Sequence, residues 1–135
     1  MARSFDEYDF SCDRPVSADD LLPLYAQTHW ADARDAADVQ RMLDATAIKI
    51  GVWKSDHLVA FARVLTDGKY RALVDDVVVD ESLRKQGIGS EMMRILADQL
   101  RDIEEIFLRC DPDMVPYYGR LGYRDRIPCL ELMDR

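Results

Sequence analysis

The chain has 135 residues, 48% of them apolar and 33% charged, and carries a net charge of −8. That suits a single domain, 1–135, with a real core, and argues against a nucleic-acid partner, which would want a basic face. No apolar run approaches the roughly 18 residues of a membrane span. Residues 1–15 hold Arg3, Asp6, Glu7, Asp9, Asp13 and Arg14 where a signal peptide would be apolar. The expectation is a cytoplasmic protein that does not engage a membrane. Cys12, Cys110 and Cys129 are an odd number without a C-x-x-C pair, and His29 and His57 are not grouped with them at zinc spacing. Reduced thiols in or near the core are expected, and no metal.

Phe5 to Cys12 alternates at Tyr8, Phe10 and Cys12 and predicts a first strand, closed by Pro15. Ser17 with Asp20 forms a capping box with aspartate in place of the usual glutamate, ahead of a helical face at Leu21, Leu22, Leu24, Tyr25 and Thr28. Asp35 can cap a second helix through Val39, Met42 and Leu43. Ala47 to Trp53 alternates as a strand, Lys54-Ser55-Asp56 turns, and Leu58 to Leu65 is a second, nearly all-apolar strand broken by Arg63. Asp67-Gly68 is a hairpin signal leading into the strand Tyr70 to Val79. These three strands predict an antiparallel meander.

Val77-Val78-Val79 is a β-branched run suited to a strand buried on both faces. Arg84-Lys85-Gln86-Gly87-Ile88-Gly89 follows as a basic loop. Apolar residues then recur at Met92, Ile95, Leu96, Leu100 and Ile103, predicting a helix over about 90–103. Strand, glycine loop and helix make a phosphate pocket: the first helical N–H groups lack partners, and glycine lets the backbone approach a ligand closely. The same order also serves as an ordinary strand-to-helix turn. The dinucleotide pattern fails because Met92 stands at the third glycine, and the Walker pattern is absent. Ile106 to Cys110 is a short strand whose crossover implies parallel pairing with the central one. A short helix runs to about Leu121, Gly122 is its C′ glycine, and Ile127 to Met133 is expected to close the sheet.

Arg84-x-x-Gly87-x-Gly89 after a valine-rich strand resembles the acetyl-CoA segment of the GNAT superfamily of N-acetyltransferases. Tyr117-Tyr118 and Gly122-Tyr123 resemble that superfamily's second signature, and His29-Trp30, Arg34 and Phe61 to Asp67 resemble a subset of small bacterial members. The resemblance implies an α/β (α+β mixed sheet) GNAT-like fold, with an antiparallel meander followed by a β-α-β crossover whose parallel strands splay to admit acetyl-CoA as co-substrate. It implies an acyltransferase that moves an acetyl group directly to a primary amine of a small molecule. Acetylation of protein or peptide amines, or a non-catalytic acyl-CoA sensor, are the alternatives; a homodimer is compatible with each.

By motif offset, the backbone of Val77, Val78 and Val79 would pair with the pantetheine arm, although three valines are also simply core. The loop Arg84, Lys85, Gln86, Gly87, Ile88, Gly89 and Ser90 would hold the pyrophosphate; Lys85 and Gln86 also read as solvent-facing. Tyr118 matches the family's general acid: a phenol with pKa about 10 is protonated at neutral pH and can donate to a departing thiolate. Its alternative is a packing ring, the role expected of Tyr117. Asp75 and Asp76 precede the pantetheine residues. Adjacent strand residues ordinarily face opposite ways, but the family's strand bulges here and brings such side chains to the acceptor, so a substrate role is expected of the pair without choosing between them. Asp111 stands where many members carry a cofactor-contacting Asn. Tyr25, His29 and Trp30 are candidates for the acceptor wall, although aromatic residues on a helix also read as core.

Overall fold

The computed structural model describes residues 4–126 and 128–134. Among them, five strands form one sheet in the order β1-β2-β3-β4-β5. These are β1 (Asp9–Ser11), β2 (Ile48–Lys54), β3 (His57–Thr66), β4 (Arg71–Val79) and β5 (Glu105–Leu108). The helices are α1 (Ala18–Tyr25), α2 (Ala36–Ala45), α3 (Ile88–Gln99) and α4 (Val115–Arg120). The first four strands pair antiparallel, and β5 joins β4 in parallel after the α3 crossover. This is the mixed-sheet class that the sequence pattern anticipates.

Local chemistry sets the helix starts and the turns. The Ser17 hydroxyl accepts from the Asp20 N–H at 3.2 Å, while the Asp20 carboxylate accepts from the Ser17 N–H at 3.0 Å. Asp35 accepts from the Asp38 N–H at 2.8 Å. Both carboxylates also lie at the favourable end of a helix dipole. In the β3–β4 hairpin, Asp67 accepts from the N–H groups of Lys69 and Tyr70, each at 2.8 Å.

The core has two layers. α3 and α4 cover one face through Met92, Leu96 and Tyr118, against Ile50, Ala62, Val64 and Val74. α1 and α2 cover the other through Leu21, Leu24, Val39 and Leu43, against Phe61 and Val78.

A bulge in β4 decides what each face carries. Phe61 pairs with Val78 but Arg63 pairs with Asp75, so Asp76 and Val77 together oppose Ala62. Asp76 takes a left-handed φ of 52°, which aspartate tolerates better than most side chains. The extra residue flips the alternation. Asp75, Asp76 and Val78 point to the α1/α2 face, and Val77 and Val79 pack toward α3. The two carboxylates therefore share one face, against the ordinary strand rule.

Several boundaries differ from the sequence expectations. α3 begins at Ile88 rather than Ser90, because Gly87 at φ 89° already serves as its N-cap, and it ends before Leu100 and Ile103. Thr28 lies beyond α1, where its hydroxyl donates to the Tyr25 carbonyl at 2.8 Å. The first strand shortens to Asp9–Ser11 because residues 5–8 turn, with the Tyr8 N–H on the Phe5 carbonyl at 2.9 Å. The expected closing strand is not formed: residues 128–134 have no strand pairing, and Ile127 lies outside the described residues. Cys12 is half-buried, but Cys110 and Cys129 are exposed rather than in the core.

Candidate active site

β4 and β5 pair only from Arg71 opposite Glu105 to Val74 opposite Leu108. β5 then ends, so Asp75 to Val79 have no strand on that side among the described residues. This leaves an open backbone edge in the middle of the fold. At its far end, the loop enters α3 through two left-handed residues, Lys85 (φ 64°) and Gly87 (φ 89°). Among the described residues no side chain caps α3, and the first N–H groups of any helix lack intrahelical acceptors. A Cβ at Gly89 would stand 3.0 Å from the Tyr117 hydroxyl and 3.2 Å from a Val79 methyl. Glycine there keeps strand, loop and α4 in close approach. Arg84 donates through Nε to the Val79 carbonyl at 3.2 Å, tying the loop to the strand. Lys85 and Gln86 are exposed. The Ser90 hydroxyl lies 3.4 Å from that of Tyr117.

Tyr118 is buried on the α3 side in the cluster against which Val77 and Val79 pack. Its ring meets Tyr117 and Tyr123 edge-on, with centroids 5.1 and 6.0 Å away. Its hydroxyl has no hydrogen-bond partner among the described residues. Burial, then the neighbouring Tyr117, Cys110 and Tyr123, push its pKa up to about 12. It is therefore a protonated, unengaged donor at neutral pH.

The α1/α2 face carries the carboxylates. One oxygen of Asp76 accepts from the Tyr25 hydroxyl at 2.8 Å, Arg34 Nη1 at 2.7 Å and Arg63 Nε at 2.7 Å. Burial alone would raise the Asp76 pKa, but the hydrogen bonds from Arg63, Arg34 and Tyr25 outweigh it and hold the carboxyl below its usual range. The Tyr25 phenol is pushed up by burial and by that same carboxylate. Asp75 accepts from Arg63 Nη2 at 3.2 Å through one oxygen. Its other oxygen has no donor among the described residues, and its side chain is 27% exposed. Trp30 is exposed and packs edge-on to Tyr25, with centroids 6.1 Å apart. His29 is exposed and makes no side-chain hydrogen bond among the described residues, and Asp111 is exposed and caps nothing.

The model of the acetyltransferase (GNAT) family matches residues 11–123. The chain belongs to the GNAT acetyltransferase family. An uncharacterized N-acetyltransferase of Prochlorococcus marinus is 30% identical over 128 residues, which are 89% of this chain and 71% of that protein. A GNAT-family protein of Xanthomonas campestris pv. campestris superposes with a TM-score of 0.77 at 27% identity, covering 95% of this chain and 92% of that one. Over about half of this chain, a rice protein named serotonin N-acetyltransferase 2 is 40% identical and a soybean protein named histone acetyltransferase TAP1 is 35% identical; the aligned parts are 34% and 29% of those proteins. The chain spans between 56% and 71% of the length of the first three curated relatives it matches.

Within this GNAT domain, the structure brings the loop, the Val77–Val79 edge and Tyr118 together around one opening, and sets Asp75 and Asp76 together on the opposite face. Sequence reasoning missed the clamp on Asp76. Its signals were present: Arg63 is the one charge in an apolar strand, and Tyr25 stands in an apolar helix face.

Proposed function

We propose that this GNAT domain transfers the acetyl group of acetyl-CoA directly to the primary amine of a small molecule, at the opening between β4 and β5. The reading is carried by one juxtaposition among the described residues: an unpaired backbone edge at Val77–Val79, flanked by an uncapped helix start and by a protonated phenol without a partner. The residues present fit the co-substrate. An extended arm would pair with the open edge, and the α3 N–H groups with Gly87 and Gly89 would receive a pyrophosphate. A groove of about 470 Å³ continues from Gly87 and Ser90 past Arg94, Arg120 and Tyr123, with room for the nucleotide end.

The transfer forms a C–N bond and breaks the C–S bond of the thioester. A β4 N–H beside the bulge would hold the carbonyl oxygen as charge develops on it. Tyr118 would give its proton to the departing sulfur, and the new amide would lose its extra proton to water. Asp75 has the free oxygen with which to hold the incoming ammonium, which would pass one proton to water before the neutral amine attacks the thioester carbonyl. Tyr118 would regain its proton from water. Asp76 is committed to Tyr25 and two arginines, which suits holding the bulge in shape rather than touching substrate.

The test incubates the purified protein with acetyl-CoA and a panel of small amines and lysine peptides, reading free thiol and N-acetyl product by mass spectrometry. Thiol release coupled to acetylation of a small amine is expected. Transfer to peptides alone, or to nothing, would overturn the reading.

A further inference from the structure

The grip on Asp76 has a counterpart four residues further along the chain. Gln27 Nε2 donates to one oxygen of Asp80 at 3.2 Å, and Gln27 Oε1 accepts from the Glu81 N–H at 2.8 Å. The other Asp80 oxygen accepts from the Ser82 N–H at 3.0 Å and from the Ser82 hydroxyl at 2.7 Å. That carboxylate therefore starts the short 3-10 turn Glu81–Leu83, which leads into the loop Arg84 to Ser90. One carboxamide fixes both a side chain and the backbone at the corner where β4 passes into the loop. The corner needs a donor and an acceptor on one group. Glutamate would lack the donor and lysine the acceptor.

Tyr25, Gln27 and Arg34 belong to one segment between α1 and α2. The Thr28 hydroxyl donates to the Tyr25 carbonyl at 2.8 Å and accepts from the Ala31 N–H at 3.0 Å. Ala31 is buried, and its carbonyl accepts from the Arg34 N–H at 3.2 Å. The segment is thus knit internally. It grips β4 at Asp76 through Tyr25 and Arg34, and at Asp80 and Glu81 through Gln27. The two grips are about 13 Å apart along an extended strand, with the Val77–Val79 edge between them.

The Gln27 grip lies near the surface. Water can replace each of its bonds, so the fold gains little from it. A ligand gains more. If the corner were free, CoA would have to order it on binding, and that lowers affinity.

We propose that Gln27 is a positioning residue for the cofactor, holding the corner from Asp80 to Leu83 in the shape that presents the following loop to the pyrophosphate. This rests on the acetyl-transfer reading above and deepens it. Segment 25–34 then sets both ends of the cofactor edge, the bulge through Asp76 and the loop entrance through Asp80.

The experiment measures CoA binding by calorimetry, and kcat at saturating acetyl-CoA with an amine found by the panel above. It uses the native protein, Gln27→Met, Gln27→Glu, and Gln27→Glu combined with Asp80→Asn. Circular dichroism and urea denaturation check folding. Each single variant should raise Kd about ten-fold, the scale of one backbone residue left for the ligand to order, and leave kcat within about two-fold. The double variant exchanges donor and acceptor across the same bond, so it should return Kd to within about three-fold of native. Native Kd in the single variants overturns the proposal. So does a rise in Kd that the double variant leaves in place, or a kcat that falls in step with affinity. Should Gln27→Glu fail to fold, Gln27→Met, which adds no charge, decides by the same readings. If the native protein binds no CoA, the acetyl-transfer reading itself fails, and this proposal with it; native binding with unmoved variants sinks this proposal alone.

Discussion

Asp76→Asn changes one charge and almost no volume, and asparagine tolerates the left-handed φ as aspartate does. It leaves Arg34 and Arg63 converging on a neutral oxygen. Removing one partner of a buried ion pair costs about 3–5 kcal/mol. The low end applies, because the Arg34 side chain is 36% exposed and can turn to water, and Asp75 still accepts from Arg63. With an unfolding entropy near 0.3 kcal/mol per degree for a chain of this length, a loss of about 3 kcal/mol lowers Tm by about 10 °C. The assay is urea denaturation of the native and variant proteins from pH 3 to 8. Asp76 has a depressed folded-state pKa, so its contribution is fully present above its ordinary unfolded value. It is lost as pH falls through the folded value. The difference should therefore be flat from pH 5 to 8 and shrink below about pH 4. A loss under about 1 kcal/mol at pH 7, or a gap that persists unchanged at pH 3, would refute the clamp.

Gly87→Val should cost cofactor affinity more than stability, because a β-branched residue opposes a φ of 89° and crowds the backbone at the entry to α3. CoA binding by calorimetry checks it, and normal affinity would refute the phosphate-loop assignment. Tyr118→Phe keeps the ring and removes only the proton donor, so kcat should fall by about 10²–10⁴-fold with KM little changed. Stopped-flow turnover with the true acceptor checks it, and retention of most of kcat where chemistry limits the rate would make Tyr118 structural. Because burial pushes that phenol up to about 12, the native rate should show no alkaline limb from Tyr118 below pH 10.

Much of the fold was legible because local signals agreed with the tertiary answer. The Ser17–Asp20 box, the Asp35 cap, the Asp67-Gly68 turn and the valine run each act over a few residues. The strand expected over 127–133 had no cap or turn signal behind it, and residues 128–134 find no paired edge. The shared facing of Asp75 and Asp76 was legible only through the family resemblance, not from the residues themselves. A bulge adds one residue to β4 without any composition cue, since the left-handed residue is aspartate rather than glycine, and that single residue inverts the faces. Arg63 and Tyr25 stood out as exceptions in apolar segments. That they meet Asp76 depends on contacts 13 and 51 residues apart, which periodicity cannot show.

The central claim is that the opening between β4 and β5, closed at one end by the Gly87–Ser90 helix start, receives acetyl-CoA. Thermal unfolding with acetyl-CoA, CoA, ATP or NAD tests it most directly. Acetyl-CoA and CoA should each stabilise the protein, by about 2.7 kcal/mol at 100 times Kd, and so raise Tm by about 10 °C, while ATP and NAD leave it unchanged. No CoA-dependent shift at millimolar ligand, or an equal shift with ATP, would contradict it.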